Sequence, residues 1–243
     1  MAYINDIHIL VYLAVAFIGM IVGQFVDYLN ETFLNERKVL SKKNINEYKK
    51  TFKVNYLLVS IIAVLYIALL YKFKLTLAFL RYSFLLPMLV SAFVVDYKIQ
   101  IIPNRLTLTM FEIGMIFVFI YGVQNLNIAK NMLLGMLTGG GIFLGITLIG
   151  GAIAGKEAMG LGDVKLMGAL GLYFGLIPTC IISVLSFLIG AIIGLILVIF
   201  RVKKANEYIP FGPFIVMATF ICMFIPTDVI ISTLQKVVTL GIF

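Results

Sequence analysis

Eight apolar runs separated by mostly short loops constrain this chain more than any other feature. They cover residues 7–29, 54–71, 76–95, 107–123, 131–154, 164–176, 177–200 and 209–227. A helix needs roughly 20 apolar residues to cross a ~30 Å hydrocarbon core. The chain therefore reads as an all-α polytopic integral membrane protein with about eight transmembrane helices, forming a single membrane domain over 1–243. Hydrophobic residues make up 62%, against ~45–50% in a soluble domain. Charged residues are 12%, about half the usual ~25%. These values exclude a disordered chain, a coiled coil and an ordinary soluble enzyme. The run at 164–176 is the exception in length. As a helix it would reach only roughly 20 Å, so burial among other helices is expected for it. The tail 228–243 is expected at the interface.

The charges orient the chain. Residues 30–53 form the one long polar segment and carry Arg37, Lys38, Lys42, Lys43, Lys49, Lys50 and Lys53. Placing that segment in the cytoplasm and alternating eight crossings puts 14 of the 19 Lys and Arg inside and five outside. Basic residues concentrate on the cytoplasmic side of membrane proteins, so the N-terminus is expected outside. Asp6 and His8 precede the first run where a signal peptide would carry a basic region, which argues for a retained helix. The net charge of +8 belongs to this flanking pattern. The expected partner is the lipid bilayer, not nucleic acid.

Metal chemistry finds little material. Cys180 and Cys222 lie 42 residues apart in apolar runs, and His8 is the one histidine. No CxxC pair or zinc cluster is present, a Ser–His–Asp triad has little to work with, and no metal site is expected.

Carboxylates carry the chemistry instead. Of eleven acidic residues, Asp27, Asp96, Glu112, Glu157 and Asp163 lie in or at the edge of apolar runs. A carboxylate there is costly unless protonated, paired or hydrated, and marks function by default. Glu112 reads as a helix contact or a hydrogen-bond partner of Thr107 or Thr109. Asp96 ends the third run in Val95-Asp96-Tyr97-Lys98, followed by Ile102-Pro103-Asn104. Asp163 follows Gly160-Leu161-Gly162 and opens the short sixth run. In the topology above both face the cytoplasm at similar depth. If they approach within hydrogen-bonding range, they cannot both ionise cheaply, so one stays protonated. The ionised one can activate a water, and the protonated one can donate to a peptide carbonyl. Gly160 and Gly162 lack a Cβ and can turn the backbone or let it approach a substrate strand. They can equally start a helix with Asp163 as its cap.

The stretch Gly155-Lys156-Glu157-Ala158-Met159-Gly160-Leu161-Gly162-Asp163-Val164-Lys165-Leu166-Met167 resembles the second catalytic motif of type IV prepilin peptidases, which are GxGD aspartyl proteases. Asp96 with Ile102-Pro103-Asn104-Arg105-Leu106-Thr107 resembles their first motif. Ile209-Pro210-Phe211-Gly212-Pro213-Phe214 resembles a third hallmark. The motifs fall within 91–214. The resemblance implies a multi-pass protease of the cytoplasmic membrane that cleaves prepilin or pseudopilin leaders after a glycine, with Asp96 and Asp163 as the catalytic pair and no cofactor for proteolysis. Pro210, Gly212 and Pro213 would break the chain beside an extended substrate, or simply start a helix. Glu157 would orient the substrate or attract a basic leader, or pair with Lys156 or Lys165. Lys165 reads as an anchor to lipid phosphates.

Two departures stand out. The first cytoplasmic loop lacks the paired CxxC motifs of many members. The N-terminal motif linked to methylation of the product, usually Gly-Ser-Phe-Leu-Asn, reads Gly23-Gln24-Phe25-Val26-Asp27. S-adenosylmethionine is implied only if that second activity is retained. The rival reading is a proton-coupled transporter using intramembrane carboxylates. It predicts carboxylates near the midplane and an internal repeat, and neither is visible.

Overall fold

The computed structural model describes residues 3–35, 39, 44, 46, 48, 54–154, 159–202 and 209–238. Its internal contacts divide the chain into two compact units, Met1–Ile99 and Gln100–Phe243.

The first unit opens with a small antiparallel hairpin, β1 (Tyr3–Ile4) and β2 (Ile7–His8). Its turn residues Asn5 and Asp6 have φ of 51° and 65°, the positive values that a two-residue type I′ turn requires. Three helices follow: α1 (Ile9–Leu34), α2 (Tyr56–Phe73) and α3 (Leu77–Ile99). His8 caps α1, its side chain accepting from Leu10 N. The lone histidine thus completes a helix end. α1 and α2 meet through glycines: a Cβ on Gly19 would lie 2.8 Å from Ala63 Cα, and one on Gly23 2.8 Å from Val59 Cα. Small residues four apart allow such close backbone approach, the main source of helix association in lipid. The hairpin is fastened to the far end of α2, where Asn5 donates to Tyr71 O at 2.7 Å and Lys74 pairs with Asp6 at 2.7 Å.

The second unit holds α4 (Asn104–Gln124), α5 (Leu126–Ala154), α6 (Leu161–Phe174), α7 (Leu176–Ile199), α8 (Gly212–Phe224) and α9 (Thr227–Val238). α5 and α6 pack backbone to backbone. A Cβ on Gly171 would lie 2.2 Å from Gly135 C, and one on Gly139 2.7 Å from Met167 O. Tyr173 ties α6 to α4, its hydroxyl donating to Met110 O at 2.8 Å. A single residue, Gly175 at φ +79°, joins α6 to α7. This left-handed conformation suits glycine, and Asn131 Oδ1 accepts from the Leu176 amide there. Buried hydroxyls turn back onto their own helices: Thr179 donates to Gly175 O, Ser183 to Thr179 O and Thr219 to Ile215 O. With no water at hand, such bonds keep polar atoms satisfied.

Six helices, α1 to α5 and α7, are long and apolar enough to cross a membrane, and a seventh span results if α8 and α9 count as one broken segment, bent by 114°. The expectation of about eight crossings is therefore not reached on length and composition among the described residues. The difference lies in the short run. It folds as α6, 14 residues long or roughly 21 Å, and it is lined with buried residues from Asp163 to Tyr173. The tail run forms α9 after the bend, with Ile230 buried and most of its other described residues exposed or half-buried.

Candidate functional site

Asp96 stands in the last turn of α3 with only 3% of its surface exposed, and Asp163 in the first turn of α6 with 4%. The helix dipole favours negative charge at the start of a helix and opposes it at the end. The two carboxylates thus occupy unlike electrostatic positions. Asp96 belongs to the first unit and Asp163 to the second.

The first motif is divided by the same boundary. Ile102, Pro103 and Asn104 lie in the second unit, folded onto the second motif. A Cβ on Gly162 would sit 3.2 Å from Ile102 Cβ. Lys165 Nζ donates to Asn104 Oδ1 at 2.7 Å. The segment that follows Asp96 in sequence is thereby held on both sides of Asp163. Gly162 does not need unusual dihedrals, because Gly175 is the one glycine at positive φ among the described residues. What Gly162 supplies is room for Ile102. Gly160 forms the bend before α6: its carbonyl accepts from Asp163 N at 3.1 Å, and a Cβ on it would meet Asp163 Oδ2 at 3.6 Å. Pro103 ends the connection and precedes α4, whose first residue is Asn104.

Pro210, Gly212 and Pro213 are all buried. Pro213 stands in the first turn of α8, where its missing N–H costs nothing. Phe211 between Pro210 and Gly212 packs among Phe143, Phe187 and Phe214 in tilted and edge-on contacts, with ring centroids 5.0–6.0 Å apart. Glu157, the remaining expected substrate contact, lies outside the described residues, as do Lys156 and the seven basic residues of 30–53.

Asp27, the carboxylate in the N-terminal motif, is held by neighbours: Asn55 Nδ2 donates to Oδ1 at 3.0 Å and the Tyr48 hydroxyl to Oδ2 at 3.3 Å. Tyr48 also receives a bond from Gln24 Nε2, and its phenol is pushed up to about 12, mainly by burial. Gly23 is filled against Val59. Along this part of α1, Gln24 Oε1 and both amide atoms of Asn30 are buried without a hydrogen-bond partner. Asp27, Tyr48 and Asn55 join α1 to the residues that follow it.

Three features escaped the linear reading. The Ile102–Gly162 contact and the Lys165–Asn104 bond join positions 60 or so residues apart, and no local pattern announces them. The seam of Gly135, Gly139 and Gly171 did leave a signal, in the four-residue spacing of glycines within an apolar run.

Fold and site together define a class: an all-α, multi-pass membrane protein with buried carboxylates at two helix ends. The model of the type IV leader peptidase family matches residues 83–195, a stretch that contains both Asp96 and Asp163. That stretch, a little under half of the chain, is similar to the type IV leader peptidase family. The prepilin leader peptidase/N-methyltransferase of Aeromonas hydrophila is 32% identical over 135 residues, covering 56% of this chain and 46% of the relative. That of Legionella pneumophila is 33% identical over 139 residues, with coverage of 56% and 46%. That of Pseudomonas aeruginosa is 41% identical over 73 residues, covering 29% and 24%. The chain spans about half the length of the curated relatives it matches. No solved structure matches it.

Proposed function

We propose that this chain is a membrane aspartyl endopeptidase that removes the leader peptide from prepilin or pseudopilin precursors at the cytoplasmic membrane face. The observation that carries this reading is the family match over the one stretch that holds two buried aspartates at helix ends. The N-terminus lies outside, and the basic segment 30–53 lies inside. Such a substrate has a short charged leader that stays in the cytoplasm, ahead of an apolar helix. Its scissile bond then falls at the membrane edge, the depth of Asp96 and Asp163 in this topology.

The chemistry follows from unlike positions of two like groups. Asp163, at a helix start, is the carboxylate that takes a proton from water as the water oxygen attacks the peptide carbonyl carbon. Asp96, at a helix end, carries the shared proton and donates it to the carbonyl oxygen. A neutral tetrahedral diol forms. Its collapse breaks the C–N bond, the proton on Asp163 passes to the leaving amine, and Asp96 recovers its own proton from the second hydroxyl. Gly160, Gly162, Pro210, Gly212 and Pro213 shape the surroundings in this reading, and Glu157 faces the leader. No step uses a metal or S-adenosylmethionine.

The deciding experiment incubates the purified full chain with candidate prepilins, with and without S-adenosylmethionine, and analyses the products by mass spectrometry. The expected product in both samples is the mature chain with its leader removed. Intact precursors throughout would overturn the peptidase reading, and a 14-dalton gain that depends on the methyl donor would show that the second activity is retained.

A further inference from the structure

A second feature of α6 lies on the side away from Asp163. A cavity of about 410 Å³ opens between α4 and α6, lined by Asn104, Thr107, Leu108, Phe111, Lys165 and Ala169, among others. At 100° per residue, Lys165, Gly168 and Ala169 stand roughly 140–240° around the helix from Asp163. The groove is therefore not the catalytic cleft. Its walls are apolar, no acidic residue lines it, and Lys165 sits at one end. The bond to Asn104 uses one of the three donors of an ammonium group. Arg105, next in sequence to Asn104, is exposed. The Thr107 hydroxyl is turned inward, donating to Asn104 O at 3.1 Å, which leaves the floor apolar.

We propose that this groove binds an anionic phospholipid, with the phosphate on Lys165 and one acyl chain along Leu108 and Phe111. Charge and shape decide the occupant. From Asn104 to Phe111 the groove runs roughly 10 Å along α4. An acyl chain is thin enough to enter. A cationic end on an apolar slot selects a negatively charged headgroup over a zwitterionic one. The site does not depend on the peptidase reading, and lies beside it on the helix that carries Asp163.

The chain contains no tryptophan, so Phe111→Trp gives a single fluorescent reporter in the groove. The full-length variant is reconstituted in bilayers of phosphatidylcholine with an equal mole fraction of chain-brominated phosphatidylglycerol or chain-brominated phosphatidylcholine. The expected result is at least twofold stronger quenching by the brominated phosphatidylglycerol, falling to parity when Lys165→Gln is added. Phe119→Trp, on an exposed part of α4 outside the groove, should show no such preference. Leu108→Trp serves as the reporter if Phe111→Trp does not fold. Equal quenching by both lipids, a preference that survives Lys165→Gln, or the same preference at Phe119→Trp would each overturn the site.

Discussion

Gly162 packs against Ile102 so closely that a Cβ on the glycine would lie 3.2 Å from the isoleucine Cβ. At that distance one side must move by a few tenths of an ångström, and Asp163 is the next residue. Alanine is otherwise the better helix former by about 1 kcal/mol, so Gly162→Ala should change thermal stability little. Small misplacements of a reacting group cost ~100-fold in rate, and cleavage should fall on that order. Gly141→Ala and Gly145→Ala are the proper comparisons, because nothing lies within 4 Å of a Cβ at either position. Gly190 is not, since a Cβ there would meet Phe214 Cδ2 at 3.0 Å. Equal rate losses at Gly162 and Gly141 would remove the glycine from the catalytic argument.

The aspartates give the most direct prediction. Asp96→Asn and Asp163→Asn keep the shape of the side chain but can neither take nor share the proton. Each should lower leader cleavage by ~100-fold or more, while the protein still inserts and purifies. Near-normal cleavage by either variant, measured on a prepilin in detergent, would show that the pair is wrongly assigned.

Packing of α6 is tested at Gly171. A Cβ there would lie 2.2 Å from Gly135 C and O, which are backbone atoms. They cannot rotate away as a side chain would. Overpacking typically costs 1–3 kcal/mol or more, so Gly171→Ala should lower the thermal midpoint clearly, whereas Gly145→Ala should not. A midpoint equal to that of the parent would mean that α5 and α6 do not meet at these glycines.

Proteolysis should not need a metal. Among the described residues no group of three or more His, Cys, Asp or Glu is placed to hold one. Cleavage is expected to persist in millimolar EDTA. Loss of activity that zinc restores would point to a site outside this reading.

The hairpin contact has a defined pH dependence. Lys74 holds the Asp6 carboxyl below its ordinary value of 3.8, first by the hydrogen bond and then by charge attraction. A lowered folded-state pKa means that the contact stabilises above the unfolded value and is lost as pH falls through the folded one. Asp6 is 87% exposed, so solvent screens the pair and the effect is small. Asp6→Asn should lower the thermal midpoint slightly at pH 7 and low salt, with the gap closing toward pH 2 or in 1 M salt. A gap that widened in acid would reverse the assigned direction.

Local composition controls everything that could be read from the residues in order. Runs of about 20 apolar residues have one way to hide their backbone in lipid, so the all-α, multi-pass character was legible without coordinates. Carboxylates are so costly in such runs that Asp96 and Asp163 stood out one by one. Gly135 and Gly139 stand four apart, a spacing that the linear reading passed over, and their partner at Gly171 leaves no such local sign. The tertiary structure alone decided that α6 is a short helix buried among its neighbours, because length leaves burial open and only contacts with α4, α5, α7 and α8 settle it. It alone showed that Gly162 is small to admit Ile102 and not to turn the chain, that Lys165 bonds Asn104, and that Asp27 is committed to Asn55 and Tyr48. Each of these is a contact between residues at least 20 positions apart. Propensity and periodicity act over a few residues, so such pairings emerge only when whole helices pack.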